Sequence, residues 1–160
     1  MAERELVHVV FPLDVDGEGW PPVGSERVWA QGLGDDTYRV DNTPWFVRDL
    51  AAGDIVRAVA RDETSWPTFV EKIEWSGNYT IRVIPFPAGA LQGSLQAVLD
   101  LFTPHGADGE GAAQFPIVAL NVPPSADIAA VHALLFRGQA EGWWDFEEGC
   151  VDDAWLALPI

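Results

Sequence analysis

The feature that most constrains this fold is a change of hydrophobic period near the middle of the chain. The first half carries short segments rich in Val, Ile, Trp and Tyr, several of which alternate apolar with polar residues, as half-buried strands do. Gly, Asp and Asn turns separate them. The predicted strands are residues 6–13, 26–33, 37–41, 55–60, 68–75 and 79–86. Short strands at this spacing predict a small barrel or a strongly curled sheet.

The second half follows a helical period instead. Apolar residues within 91–102 fall on one face of a helix that Pro104 would end. A second helix is expected with Ser125 as its N-cap and Gly138 as its C-terminal stop. Three further strands are predicted, at residues 106–111, 115–122 and 144–151.

From residue 79 onward the order is strand, helix, edge strand, strand, helix, strand, which matches the split βαβ sandwich of ferredoxin-like proteins. We therefore predict an α+β fold with two halves. An N-terminal small curled β-sheet or barrel, residues 1–78, is expected to pack on a C-terminal ferredoxin-like half, residues 79–160, as one compact unit.

The charge balance excludes several classes of partner. The chain has 25 Asp and Glu residues against 9 Lys and Arg residues, a net charge of −16. Such a field repels phosphate backbones and anionic lipids, so we expect neither nucleic acid nor a membrane as a partner. Residues 84–160 are almost purely acidic, with 10 acidic residues and a single basic one, Arg137.

Cysteine and histidine usage predicts no cofactor and no metal. Cys150 is the single cysteine and cannot form an internal disulfide, which fits a cytoplasmic protein. The three histidines lack metal-ligand spacing. The acidic start of the chain, residues 1–5, lacks the basic region of a signal peptide.

One acidic segment imitates the beginning of a calcium-binding loop. Asp14-x-Asp16-x-Glu18-Gly19 has alternating oxygen ligands and a glycine, but Ser25 occupies the position where such loops place a bidentate Glu. An acidic hairpin turn is the better interpretation, because Gly and Asp cluster in turns.

The segment that begins at Asp41-Asn42 is the first candidate binding element. A side-chain cap followed by Pro44 would fix a bend there and leave Trp45 and Phe46 either as a lid on the core or as an exposed aromatic anchor.

A tight turn at Ser76-Gly77-Asn78 is the second candidate. In the strand that follows, Thr80 and Arg82 share a face. Arg82 would be a clamp for a carboxylate or phosphate if that face is concave, and an internal partner of an Asp or Glu otherwise.

The most distinctive segment combines acids with aromatic rings and contains no basic residue. It is either a counter-surface for a basic protein, in which rings anchor and charges steer, or a solvated acidic edge. Its acids are Glu141, Asp145, Glu147, Glu148, Asp152 and Asp153, and its rings are Trp143, Trp144 and Phe146.

Catalytic motifs are missing, and no catalytic residue can be assigned. The chain has no Gly-x-Ser-x-Gly elbow and no nucleotide-binding glycine loop. Acidic neighbours would raise the pKa of the Cys150 thiol, so we interpret Cys150 as a small buried residue.

Five phrases occur together in a characteristic order: Glu26-x-x-Trp29-Ala30, Tyr38-Arg39-Val40-Asp41-Asn42-x-Pro44-x-Phe46, Gly53-Asp54-x-Val56, Ser76-Gly77-Asn78-x-Thr80-x-Arg82 and Trp144-x-Phe146-Glu147-Glu148-Gly149-Cys150. With them the chain resembles, over residues 8–151, the bacterial family labelled domain of unknown function 4265. The resemblance implies no activity. It directs attention to the loops at residues 41–46, 76–82 and 144–150.

We therefore expect a cytoplasmic, non-catalytic binding domain that engages a basic protein, in the manner of an immunity or antitoxin-like inhibitor. The alternative is an enzyme, or a small-molecule or peptide-binding protein of a specialised bacterial pathway. That alternative would use a pocket between the two halves, bordered by Trp45, Phe46, Arg82 and Trp144.

Overall fold

A computed structural model describes residues 5–112 and 114–160 of the chain. Residues 1–4, which belong to the segment used to judge the signal peptide, lie outside the described residues, as does Ala113. The chain divides into two compact units, called here the barrel unit, Met1–Ser76, and the sheet unit, Gly77–Ile160.

The barrel unit is a closed five-stranded barrel, as the strand spacing predicts. Each strand is antiparallel to the next, and β5 closes the barrel by pairing in parallel with β1. Every strand ends within one residue of its predicted limit. The strands are β1 (Leu6–Pro12), β2 (Ser25–Gly34), β3 (Thr37–Val40), β4 (Ile55–Val59) and β5 (Thr68–Glu74).

The barrel closes because alternate residues of its strands turn inward and pack together. Val9 and Phe11 of β1 meet Val28 and Ala30 of β2 in one buried cluster. Burial of aliphatic and aromatic side chains of this kind stabilises each by about 1.5–3 kcal/mol.

The sheet unit has a mixed α+β architecture. Its four strands lie in the order β7-β8-β6-β9, and all neighbouring strands are antiparallel. The elements are β6 (Tyr79–Pro85), α1 (Leu95–Phe102), a 3₁₀ turn (Thr103–His105), β7 (Asp108–Gly111), β8 (Val118–Val122), α2 (Ile128–Ala140), β9 (Trp144–Cys150) and α3 (Asp153–Leu156).

Both long helices contribute to one core with the sheet. Ile81 and Val83 of β6 pack in a single cluster with Phe102 of α1 and Leu135 of α2. Trp144 completes the cluster, is 0% exposed, and donates its indole N–H to the Leu135 carbonyl at 3.0 Å.

Helix α1 ends at Phe102, before Pro104, as predicted, but the other predicted helix limits differ. Helix α1 begins at Leu95, because the Ser94 hydroxyl caps it by accepting the Ala97 N–H at 3.1 Å. Helix α2 is capped by Asp127 rather than Ser125. Gly138 was expected to end α2 but lies inside it, and the helix continues to Ala140.

Gly138 is needed for packing rather than for a stop. A Cβ at this position would lie 2.2 Å from the Trp144 ring. The chain leaves the helix instead at Gly142, which has φ of 76°.

Candidate functional site

The loop at residues 41–47 is held by a buried carboxylate. Glu26 of β2 is only 8% exposed and accepts three backbone N–H groups, from Trp45 at 2.6 Å, Phe46 at 2.8 Å and Val47 at 3.1 Å. Hydrogen bonds to a desolvated anion are strong, so this carboxylate fixes the loop. Phe46 is buried and Trp45 is half-buried.

Asp41 and Asn42 join the same loop to the neighbouring strand. The Asn42 side-chain oxygen accepts the Trp29 N–H, and the Asp41 N–H donates to the Trp29 carbonyl, both at 2.8 Å. The amide of Asn42 therefore serves the backbone, whereas Asp41 is exposed.

A groove of about 340 Å³ opens where the end of β1 meets the end of the 41–47 loop. Two aromatic pairs contribute to its walls. Phe11 stacks on Phe69 with ring centroids 4.8 Å apart, and Trp20 meets Phe46 edge to face at 5.7 Å. The remaining lining residues are Pro12, Leu13, Asp14, Asp16, Pro21, Val47 and Arg48.

The two carboxylates of the groove, Asp14 and Asp16, come from the turn whose sequence imitates a calcium loop, and its guanidinium is that of Arg48. One oxygen of Asp16 accepts the N–H groups of Glu18 and Trp20, both at 2.9 Å, which makes the segment a hydrogen-bonded turn. The Trp20 N–H, then the Glu18 N–H and the nearby Arg48 lower the pKa of Asp16 against a small effect of desolvation. Asp16 therefore stays ionised near neutral pH.

Ser76 is tied to a second buried carboxylate of the barrel unit. Asp54, which is fully buried, accepts the Ser76 N–H at 2.8 Å, the Ala51 N–H at 2.9 Å and the Lys72 ammonium at 3.1 Å. The Ser76 hydroxyl donates to the Ala52 carbonyl at 2.8 Å. Ser76 thus ends the barrel unit as a structural residue, and Asn78, half-buried, lies near the start of the sheet unit.

Thr80 and Arg82 lie on the face of the sheet that turns away from the helices, as strand alternation predicts. Both are buried, Arg82 being 1% exposed. One guanidinium nitrogen of Arg82 lies 3.6 Å from a Glu147 oxygen, and a Cβ on Gly149 would come within 2.7 Å of the same nitrogen. This geometry is that of an internal ion pair.

The acidic and aromatic segment at residues 141–153 does not form one face. Asp145 hydrogen-bonds the Gln139 amide, Glu147 pairs with Arg82, and Glu148 accepts the Trp155 indole N–H. Asp152 caps α3. Because strand neighbours alternate, Glu147 and Glu148 point to opposite sides of β9.

The prediction that Trp144 is an anchor or a pocket border beside Trp143 is wrong. Its ring is fully buried in the core of the sheet unit, where Gly138 makes room for it. Trp143 is half-buried, and the Arg137 guanidinium lies 5.4 Å from its ring centroid. Trp144 therefore belongs to the core and cannot contact a partner.

The described surface of the sheet unit is nevertheless almost uniformly negative. Its two basic residues are Arg82, which is buried, and Arg137, which is exposed. Eight carboxylates are exposed and are called here the acidic surface: Asp100, Asp108, Glu110, Asp127, Glu141, Asp145, Glu148 and Asp153.

An aromatic cluster on the outside of the barrel was not anticipated as a site. Trp29 and Trp66 are 44% and 48% exposed, and His8 lies between them, 3.7 Å from the Trp29 ring centroid and 5.0 Å from that of Trp66. The alternation of residues along β2 could have predicted the exposure of Trp29, because Val28 and Ala30 face inward and the residue between them must face outward.

Cys150 is buried, as predicted. Burial lowers the pKa of His132, and the charge of Glu148 partly opposes this effect. Across residues 5–112 and 114–160, no group of three or more His, Cys, Asp or Glu side chains could hold a metal ion. The described helices are all too short or too polar to cross a bilayer.

Comparison with known proteins places the chain in a family and in a fold. A comparison with curated proteins gives no match. A crystal structure titled as a hypothetical protein from Neisseria gonorrhoeae superposes with a TM-score of 0.71 at 20% identity, over 94% of this chain and 96% of that one, which shows a shared fold. The family model described as domain of unknown function (DUF4265) matches residues 26–146, in agreement with the resemblance, and the chain belongs to this family.

Proposed function

We propose that this protein is a non-catalytic acidic binding domain that engages a basic protein, in the manner of an immunity or antitoxin-like inhibitor, in the cytoplasm. One observation carries the proposal: the acidic surface of the sheet unit has eight exposed carboxylates, and Arg137 is the exposed basic residue among its described residues. The single, buried Cys150 suits a reducing compartment.

A surface of one sign attracts a partner of the opposite sign before contact. Such steering can raise association rates well above those of neutral pairs, and added salt weakens it within a Debye length of about 8–10 Å. The same field repels nucleic acid. A cationic protein is therefore the class of partner that the charge favours.

Affinity capture from the native cell extract at low and high salt would identify the partner. The decisive measurement follows it: the association rate constant of the purified pair at several ionic strengths. We expect a steep fall in this rate with added salt, and a rate indifferent to ionic strength would contradict the proposal.

A pair of matched triple variants locates the steering charge. Asp108→Asn, Glu110→Gln and Glu141→Gln together remove three charges from the acidic surface. Asp35→Asn, Asp36→Asn and Glu63→Gln remove three exposed charges from the barrel unit. The first set should slow association by about tenfold or more and the second set much less; equal effects would remove the special role of the sheet unit.

A different observation favours the alternative function, an enzyme or a small-molecule or peptide-binding protein of a specialised pathway. The groove of the barrel unit has the size and the aromatic lining of a ligand site. Arg82 is a poor test residue for it, because its burial makes any substitution a change of stability.

We also infer that the sheet unit is ferredoxin-like. Its strand order β7-β8-β6-β9, its antiparallel neighbours, and the helices that link β6 to β7 and β8 to β9 support this class. An experimental structure with a different strand order would contradict it.

A further inference from the structure

We propose that the groove of the barrel unit binds the side chain of an arginine carried by the basic partner. This inference rests on the proposed function and adds to it a site and the chemistry of its ligand. The groove is lined by residues between Phe11 and Phe69, so it is built from other residues than the acidic surface.

The walls suit a flat cation on an apolar stem. Trp20 and Phe69 are the partly exposed rings of the groove, and the buried rings of Phe46 and Phe11 pack behind them. Aromatic rings attract a guanidinium group and bury the methylene groups that carry it. Glu26 fixes the backbone of the Phe46 wall through its three hydrogen bonds. The walls therefore form before a ligand arrives, which reduces the entropy that binding costs.

The charges of the lining favour a cation over an anion. Asp14 and Asp16 contribute two carboxylates and Arg48 one guanidinium, so the lining carries a net charge of −1, and the exposed Glu18 follows in the same turn. An anionic ligand could pair with Arg48 but would face both carboxylates. A cationic ligand could pair with Asp14 or Asp16 and would be repelled by Arg48 alone.

Arginine fits this site better than lysine. Its planar guanidinium stacks on rings and pairs with a carboxylate through two hydrogen bonds, and it is more weakly hydrated than an ammonium group. A groove of about 340 Å³ is at the lower end of ligand sites, which suits one side chain with its flanking backbone.

Capped pentapeptides test the site on the full chain. The probes are Gly-Gly-Arg-Gly-Gly and the same peptide with Lys or Glu in the centre, titrated against protein labelled with ¹⁵N. Indole N–H signals report on the groove, and Trp20→Phe identifies the signal of Trp20 while keeping an aromatic wall. We expect the arginine peptide to bind with Kd on the order of 1 mM, to shift the Trp20 signal, and to bind at least threefold more tightly than the lysine peptide. The glutamate peptide should bind too weakly to measure.

Variants of the rim provide the second measurement. Asp14→Asn and Asp16→Asn should each weaken the arginine peptide at least threefold. Asp35→Asn, which removes the same charge from the turn after β2, at the opposite end of that strand from the groove, should change binding less than twofold. Asp14 has no hydrogen bond that its substitution would remove among the described contacts, so Asp14→Asn keeps the test valid if Asp16→Asn disturbs the turn.

Several results would overturn the inference. These are equal binding of the arginine and glutamate peptides, binding that Asp14→Asn leaves unchanged, or an unshifted Trp20 signal.

Failure of this inference is distinguishable from failure of the proposed function. The triple variant of the acidic surface should leave peptide binding unchanged. If no peptide binds while the basic protein still associates in a salt-dependent manner, the groove assignment is wrong and the proposed function stands. If the arginine peptide binds and association with the captured partner is indifferent to salt, the electrostatic function is wrong.

Discussion

The barrel unit and the sheet unit carry the same net charge but differ in which charges they bury and in how their exposed charges are mixed. Residues 1–76 hold 15 acidic and 7 basic residues, and residues 77–160 hold 10 and 2, so each has a net charge of −8. The barrel unit buries two carboxylates, Glu26 and Asp54, and the sheet unit buries a guanidinium, Arg82. Most acids of both units are exposed, but the barrel unit exposes several arginines among them, whereas Arg137 is the exposed basic residue among the described residues of the sheet unit.

This difference shows that net charge alone does not locate a binding surface. A carboxylate that accepts backbone N–H groups inside a protein contributes to stability and is unavailable to a partner. A carboxylate on an outer strand or helix end contributes little to stability and remains available. Substitutions that remove a charge but keep the side-chain shape should therefore reduce stability at the buried carboxylates and not at the exposed ones.

Removal of the buried charges should have the largest effect. Glu26→Gln and Asp54→Asn each leave backbone N–H groups facing an amide, and we expect a loss of about 2–4 kcal/mol in the free energy of unfolding. Asp108→Asn and Glu141→Gln on the acidic surface should change it by less than about 0.5 kcal/mol. Urea denaturation measures all four. Equal, small losses would show that the buried carboxylates do not hold their loops.

The sheet unit depends on close packing at Gly138, where the barrel unit depends on buried carboxylates. Gly138→Ala would place a methyl group against the Trp144 ring, which its hydrogen bond to Leu135 holds in place. The clash outweighs the better helix propensity of alanine, and we expect a loss of about 1–3 kcal/mol. Thermal unfolding should show a lower midpoint. Gly17→Ala, with no atom within 4 Å, is the control and should change little.

Asp152 of the sheet unit accepts hydrogen bonds within the fold, as Glu26 and Asp54 of the barrel unit do. It caps α3 through the Trp155 N–H at 3.0 Å and accepts the Tyr79 hydroxyl at 2.7 Å. Burial, followed by this hydrogen bond, raises the pKa of Tyr79 to about 12. The neutral phenol is favoured in the folded state, so its contribution to stability is complete below pH 10 and is lost as the pH rises through about 12.

Tyr79→Phe should therefore cost about 1 kcal/mol and remove a late phase from the absorbance titration of tyrosinate. The chain has two tyrosines, and Tyr38→Phe is the matched control that should keep this phase. A titration without a late phase in the unsubstituted protein would show that the Tyr79 phenol is open to water.

Strand limits could be predicted because alternation and turn residues report on local structure. All six strands from β1 to β6 lie within one residue of their predicted bounds. The predicted limits of later elements were less accurate. Strand β8 begins at Val118 rather than at residue 115, because its pairing with β6 and β7 begins only there.

The candidate site could be predicted only in part, because burial of a polar residue depends on contacts distant in the sequence. Glu26 meets the 41–47 loop across some twenty positions, and no local pattern marks it as buried. The groove likewise joins residues from β1, β5 and two loops. Trp144 belongs to a short segment rich in acids, which suggested exposure, although its own strand register places it in the core.

The smallest predicted effect concerns the ionisable group in the core of the sheet unit. His132 is 3% exposed and packs against Phe136 and Trp155, so burial lowers its pKa below 6.5 despite the charge of Glu148. The folded state then resists protonation more than the unfolded state does. The contribution to stability is complete above pH 6.5 and is lost as the pH falls through the lowered value, at no more than about 1.4 kcal/mol per pH unit.

His132→Leu should therefore lose less stability than the unsubstituted protein between pH 7.5 and 5.5, as measured by urea denaturation at each pH. A difference in unfolding free energy that stays constant with pH would mean that Glu148 stabilises the imidazolium enough to cancel the effect of burial. The sheet unit would then tolerate a buried cation at His132 in addition to the one at Arg82.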